Sequence, residues 1–199
     1  MKTKLFIILT AFTLLTACSK DEQASPDLFG SSTLTITFEY TKQSGYGSNQ
    51  FAVWIENSDG NLVKTLYATK FTASGGYKTR PDSLPEWVEK SGLAAMHKSD
   101  IDAVAGATPK EGTLRYEWKF NSLASSNPIP TGIYRFFVEG STRGKNRTLH
   151  SGVIEIGVSP ATEEAEVTLF LEESPGYPAL DAGAPENAMI SAVTAAFTP

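Results

Sequence analysis

The chain has 199 residues, with 17 Lys and Arg against 22 Asp and Glu, and a formal charge of −5 at pH 7. An acidic chain repels phosphate backbones, and no basic stripe interleaved with aromatics runs through it, so nucleic-acid binding is set aside. Cys18 is the single cysteine, which excludes an internal disulfide and any cysteine-based metal cluster.

The chain opens with Met1-Lys2-Thr3-Lys4, continues in the apolar run Leu5 to Leu15 and reaches Thr16-Ala17-Cys18. A charged start, a short apolar stretch and small residues before a cleavage point are the parts of a secretory signal. The apolar run is too short for a permanent membrane-spanning helix. Leu15-Thr16-Ala17-Cys18 resembles the bacterial lipobox. That resemblance implies cleavage before Cys18, lipid on its sulfur, and an exported protein held to the outer membrane at its periplasmic face or at the cell surface. Removal of residues 1–17 takes Lys2 and Lys4, and 17 less 2 leaves 15 basic against 22 acidic residues, a charge of −7. Residues 18–30 are polar and aperiodic and read as a tether. Within them Lys20-Asp21-Glu22 is either a solvated charge cluster or, by resemblance, the surface-export tag of Bacteroidetes-type lipoproteins.

About 170 residues follow the tether, enough for one domain over 31–199. Taken in chain order, Thr33 to Tyr40, Gln50 to Glu56 and Leu62 to Tyr67 alternate apolar and polar residues and predict strands. Ser58-Asp59-Gly60-Asn61 predicts a hairpin between the second and third, since Asp-Gly tolerates the positive φ of a tight reversal. Residues 71–112 form a long excursion, of the kind that is functional or disordered in a compact domain. Within it Ser83 to Lys90 predicts one short helix, capped by Asp82 or Ser83, with Pro85 in its first turn and Trp87 and Val88 facing the sheet. Thr113 to Phe120, Ile133 to Glu139, Thr148 to Ile156 and Ala165 to Leu171 predict further strands, with a turn at Gly144-Lys145-Asn146. Residues 173–178 are too rich in breakers to be regular, and Met189 to Phe197 predicts a last strand. The fold class is all-β: an immunoglobulin-like β-sandwich with one short helix in a long inter-strand excursion. No Cys-Trp-Cys pattern marks an antibody-type domain.

Two segments suggest a family. Asp102-Ala103-Val104-Ala105-Gly106-Ala107-Thr108, with Glu111-Gly112 and Leu114-Arg115-Tyr116-Glu117-Trp118 after it, resembles the signature of the predicted periplasmic proteins known as domain of unknown function 2271. Pro128-Ile129-Pro130-Thr131-Gly132-Ile133-Tyr134 with Val138-Glu139, and Ala52-Val53-Trp54-Ile55-Glu56 with Gly60, fit the same family. The family places Asp-Gly after the tryptophan of the middle strand; here Lys119-Phe120 follows Trp118, and Asn121-Ser122 is left to make the turn. The tryptophan arrangement is also similar to immunoglobulin-like modules of flagellar hook-capping proteins, which bears on fold alone.

Asp102 to Thr108 also resembles the acceptor motif of bacterial flavin transferases: Asp, two variable residues, a small residue, Gly, Ala, then Thr or Ser. The resemblance implies flavin mononucleotide esterified to Thr108, with a flavin transferase and membrane redox proteins as partners. A threonine hydroxyl is a weak nucleophile, so the bond needs an external, metal-dependent enzyme whose active site must admit the segment. Ala105, Gly106 and Ala107 offer little bulk, and Pro109 biases Thr108 toward extended backbone. Asp102 would position the segment or ligand the transferase metal. The alternative is a tight small-residue crossing into the next strand, with Asp102 capping a turn. Flavin-bearing domains of this type place a hydroxyl residue two positions after the threonine, where this chain has Lys110.

Trp54, Trp87, Trp118, Tyr77 and Tyr116 are large enough to stack on a flavin, Trp87 above all because it shares the excursion with Thr108, but buried aromatics dominate small β-sandwiches and each reads first as a core residue. His97 and His150 are the only histidines, and Met96-His97 lacks the partners of a metal or haem site. Without a Gly-x-Ser-x-Gly elbow no hydrolase is indicated. The readings that stand are a flavin-carrying redox lipoprotein, a non-enzymatic β-sandwich that binds a protein or glycan at the cell envelope, and, behind these, a metal or haem accessory protein.

Overall fold

The computed structural model describes residues 32–43, 47–120, 129–142, 147–170 and 189–199, with only the backbone of 168–170. Cys18, the tether, the turns at 121–122 and 144–146 and the stretch 173–178 lie outside the described residues. Among the described residues ten strands form two sheets: β1 Ser32–Tyr40, β2 Gln50–Asn57, β3 Leu62–Thr69, β4 Ala105–Gly106, β5 Gly112–Phe120, β6 Gly132–Ser141, β7 Arg147–Ile156, β8 Ala161–Glu164, β9 Glu166–Phe170 and β10 Ile190–Thr198. One sheet runs β5-β1-β10-β8 and the other β4-β3-β2-β6-β7-β9, and every pairing but β3 with β4 is antiparallel. This is the expected all-β sandwich.

Period-two alternation sends Leu34, Ile36, Phe38 and Tyr40 of β1 inward to meet Phe51, Val53 and Ile55 of β2 and Tyr134, Phe136 and Val138 of β6. The last strand contributes Ile190, Val193, Ala195 and Phe197 to the same core. The expected hairpin is present, with Gly60 at φ +77°.

β2 departs from simple alternation: all of Gln50 to Glu56 is buried. Its outward residues Ala52 and Trp54 lie under the excursion, in a second apolar cluster with Ala68, Phe137, Ala73, Leu84, Trp87 and Leu93. Trp54 stacks on Phe137 with ring centres 4.9 Å apart. The excursion is therefore an ordered cover over the outer face of the larger sheet. It holds three short helices instead of the expected one: α1 Lys70–Ala73, α2 Pro85–Ser91 and α3 Lys98–Val104. Neither α1 nor α3 is long enough to form alone, and packing on β3 holds them.

The expected cap of α2 by Asp82 or Ser83 is corrected. Leu84 stands at the N-cap, fully buried at φ +55°. The carboxylate of Glu139, on β6, accepts from the N–H of Trp87 at 2.9 Å and of Glu86 at 3.3 Å instead. Ser83 turns inward to Thr72, their hydroxyl oxygens 2.5 Å apart, and Thr72 donates to Oε1 of buried Gln50 at 3.0 Å.

Candidate functional site

The segment Asp102 to Thr108 leaves α3, crosses one end of the larger sheet and delivers its threonine to a groove. Asp102 lies in the last turns of α3 and pairs with Lys98 one turn earlier, both side chains solvent-exposed. Ala105 and Gly106 then pair in parallel with Ala68 and Thr69 at the end of β3. The Tyr67 hydroxyl donates to the Ala107 carbonyl at 2.5 Å. Thr108 is exposed, and its Oγ1 donates to the Asn49 carbonyl at 3.2 Å. Pro109 and Lys110 follow, and β5 begins at Gly112 with φ +128°.

Thr108 borders an open groove of about 1030 Å³ with Tyr40, Lys42, Asn49, Lys110 and Glu111. Ligand clefts commonly run to roughly 1,000 Å³. Tyr40 is 1 % exposed, and its hydroxyl has no hydrogen-bond partner among the described residues. Burial, reinforced by the charge of Glu111, raises its pKa and keeps it a neutral donor.

Not every residue singled out from the sequence belongs here. Asp102 lines a separate groove of about 530 Å³ with Lys70, Tyr77, Lys78, Lys98 and Ile101, so the fold does not bring Asp102 and Thr108 into one cavity. It caps no turn either. Gly106 stands where the Tyr67 ring fills the space of a side chain, which is a packing reason for glycine at that position.

Trp87 as a flavin contact is corrected. It is fully buried between α2 and the larger sheet, donates from Nε1 to Thr65 at 3.1 Å, and has no share in the groove at Thr108. Trp54 and Trp118 are likewise core residues, and Tyr116 packs against that core. The aromatics beside the Thr108 segment are Tyr40 and Tyr67. Tyr40, Lys42 and Asn49 escape a reading of the sequence because they stand about 60 residues upstream and resemble ordinary strand and loop residues.

His97 is exposed at the start of α3, and Met96 is half-buried. His150 is buried, its Nε2 3.0 Å from the Ile190 carbonyl, and burial lowers its pKa. Among the described residues no three His, Cys, Asp or Glu side chains gather as a metal site, and no helix is long and apolar enough to cross a membrane.

Fold and groove together define a β-sandwich module with an open groove beside Thr108. The chain belongs to the DUF2271 family of predicted periplasmic proteins, whose pattern it matches over residues 31–170. It is therefore of a periplasmic, exported class. No curated protein and no solved structure matches it.

Proposed function

We propose that this chain is a lipid-anchored envelope protein, acylated at Cys18, that carries flavin mononucleotide esterified to Thr108 and passes electrons outside the cytoplasm. The observation that carries the reading is the presentation of Thr108. Thr108 is exposed at the edge of a groove, and Ala107 before it is exposed as well. The hydrogen bond from Oγ1 to the Asn49 carbonyl is long and readily exchanged for water.

In the ester-forming step Oγ1 of Thr108 bonds to the phosphorus of the flavin phosphate. A bond from that phosphorus to the donor's leaving group breaks, and the hydroxyl proton goes to a base of the transferase. In this reading the transferase supplies the base and this chain is its substrate.

The test is intact mass after co-expression with an exported flavin transferase. The wild-type chain gains one flavin mononucleotide less a water, Thr108→Ser keeps the gain and Thr108→Ala loses it. A wild-type protein without covalent flavin beside an active, matched transferase removes the redox reading and leaves an envelope-binding sandwich.

A further inference from the structure

Three features of the Thr108 groove are left over once the hydroxyl itself is accounted for. Tyr40 presents a fully buried phenol that lines the groove, and its hydroxyl satisfies nothing among the described residues. A buried hydroxyl without a partner is costly, so a donor kept in that state is a candidate to meet a ligand acceptor. Lys42 and Lys110 flank the same groove, and Glu111 is its single acid, giving a local charge of +1 on a strongly acidic chain. Lys110 is two residues past Thr108 and lines the same groove.

We propose that this groove binds the phosphate-bearing end of a flavin nucleotide without any covalent bond, Tyr40 donating its hydroxyl to a phosphate oxygen while Lys42 and Lys110 neutralise the phosphate. The proposal rests on the flavin reading of Thr108 for the identity of the ligand but not for the site itself. The geometry gives Lys110 a definite role, since a cation beside the acceptor hydroxyl offsets the charge that a phosphodiester would place there. It also gives an order of events, in which the groove holds the phosphate near Oγ1 and the ester fixes what is already bound. The large groove volume leaves room for the ring system beyond the phosphate.

The experiment uses the full-length chain purified in detergent from cells without a flavin transferase, titrated with flavin mononucleotide, riboflavin, adenosine monophosphate and inorganic phosphate, with quenching of flavin fluorescence as readout. Flavin mononucleotide binds, and riboflavin, lacking the phosphate, binds at least roughly tenfold more weakly. In these cells no ester forms, so the binding measured is non-covalent. Tyr40→Phe weakens flavin mononucleotide roughly tenfold and leaves riboflavin unchanged, and it leaves the melting temperature level or higher, since the lost hydroxyl had no partner among the described residues. Lys42→Ala with Lys110→Ala weakens flavin mononucleotide and flattens its salt dependence.

Equal affinity for riboflavin and flavin mononucleotide overturns the phosphate assignment, as does Tyr40→Phe binding like wild type. Inorganic phosphate or adenosine monophosphate displacing flavin at equal concentration reduces the groove to a general anion trap and overturns it too. Failure here is separable from failure of the ester. Covalent flavin on Thr108 with no non-covalent binding sinks the groove proposal alone, whereas non-covalent binding with no ester beside an active transferase sinks the ester alone.

Discussion

The ring of Tyr67 occupies the space that a side chain on Gly106 would need: a Cβ built there falls 2.4 Å from its Cε2 and 2.8 Å from its hydroxyl oxygen. The same hydroxyl holds the Ala107 carbonyl, so one tyrosine both requires the glycine and fixes the residue before Thr108. Gly106→Ala should cost about 1–3 kcal/mol by denaturant unfolding, because Tyr67 has to leave its place. Gly106→Ala in a Tyr67→Ala background should cost much less. Equal costs in the two backgrounds would show that the contact does not set the segment.

Glu139 and His150 give stability opposed pH dependences. Burial pushes the Glu139 carboxyl up to about 7, against the pull of the Trp87 N–H and the Arg147 guanidinium. A folded value above the unfolded 4.5 means that the native state holds the extra proton. Its stabilisation is complete below about 4.5 and is lost as pH rises through about 7. Burial of His150 lowers its pKa below 6.5, so its stabilisation is complete above 6.5 and is lost as pH falls through the depressed value. The two slopes oppose each other below 6.5, and only the Glu139 slope survives between 6.5 and 7. The melting temperature should therefore drop over that upper interval in the wild type. Glu139→Gln should abolish the drop and expose a decline toward acid. A Glu139→Gln profile parallel to wild type would refute the assignment.

Gln50 ties the excursion to the larger sheet through one oxygen. Its Oε1 accepts from the Thr69 hydroxyl at 2.6 Å, the Thr72 hydroxyl at 3.0 Å and the Thr72 N–H at 3.3 Å. Gln50→Leu should cost about 1–3 kcal/mol by leaving those donors buried and unpaired. Hydrogen exchange should quicken at α1 before the rest of the sandwich. Uniform quickening would mean that Gln50 supports the whole core and not this junction.

β10 lies beyond the residues that match the family pattern, yet it sits between β1 and β8 and faces the core with Phe197. Phe197→Ala should cost about 3–5 kcal/mol, as for any large buried ring. Unfolding within about 1 kcal/mol of wild type would show that β10 is dispensable and that 31–170 folds without it.

Cys18→Ala tests the anchor separately from the groove. The variant should accumulate as an uncleaved or soluble precursor that no longer partitions into detergent. Retained acylation would rule out the lipobox reading. Replacement of Lys20-Asp21-Glu22 by alanines should protect the protein from protease added to whole cells if those residues direct it to the surface.

Strands are legible in the sequence where one face meets the core and the other meets water, as in β1, because burial then writes itself as alternation. β2 is legible as a strand from its length and aromatic content, but its double burial implies a cover that alternation cannot describe. β8, reading Ala-Thr-Glu-Glu, carries no apolar signal and exists because β10 offers it a partner. α1 and α3 escape the sequence for the same reason, being one or two turns held by contacts distant along the chain. The acceptor motif is readable because it is contiguous. Tyr40, Lys42 and Asn49 are not, since only the fold brings them to Thr108. Trp87 misleads because nearness in sequence is not nearness in space, and α2 turns it away into the core.

The free margins of both sheets are short or charged. β4 has two residues, β8 has four ending in Glu163-Glu164, and β9 has five. The nine-residue β5 presents Arg115, Glu117 and Lys119 to solvent, joined as ion pairs. Unpaired strand margins recruit one another into fibrils when copies of a chain are crowded together, and short or charged ones resist it. A sandwich finished in this way resists self-templated aggregation when its copies are crowded, even with no disulfide to lock it shut.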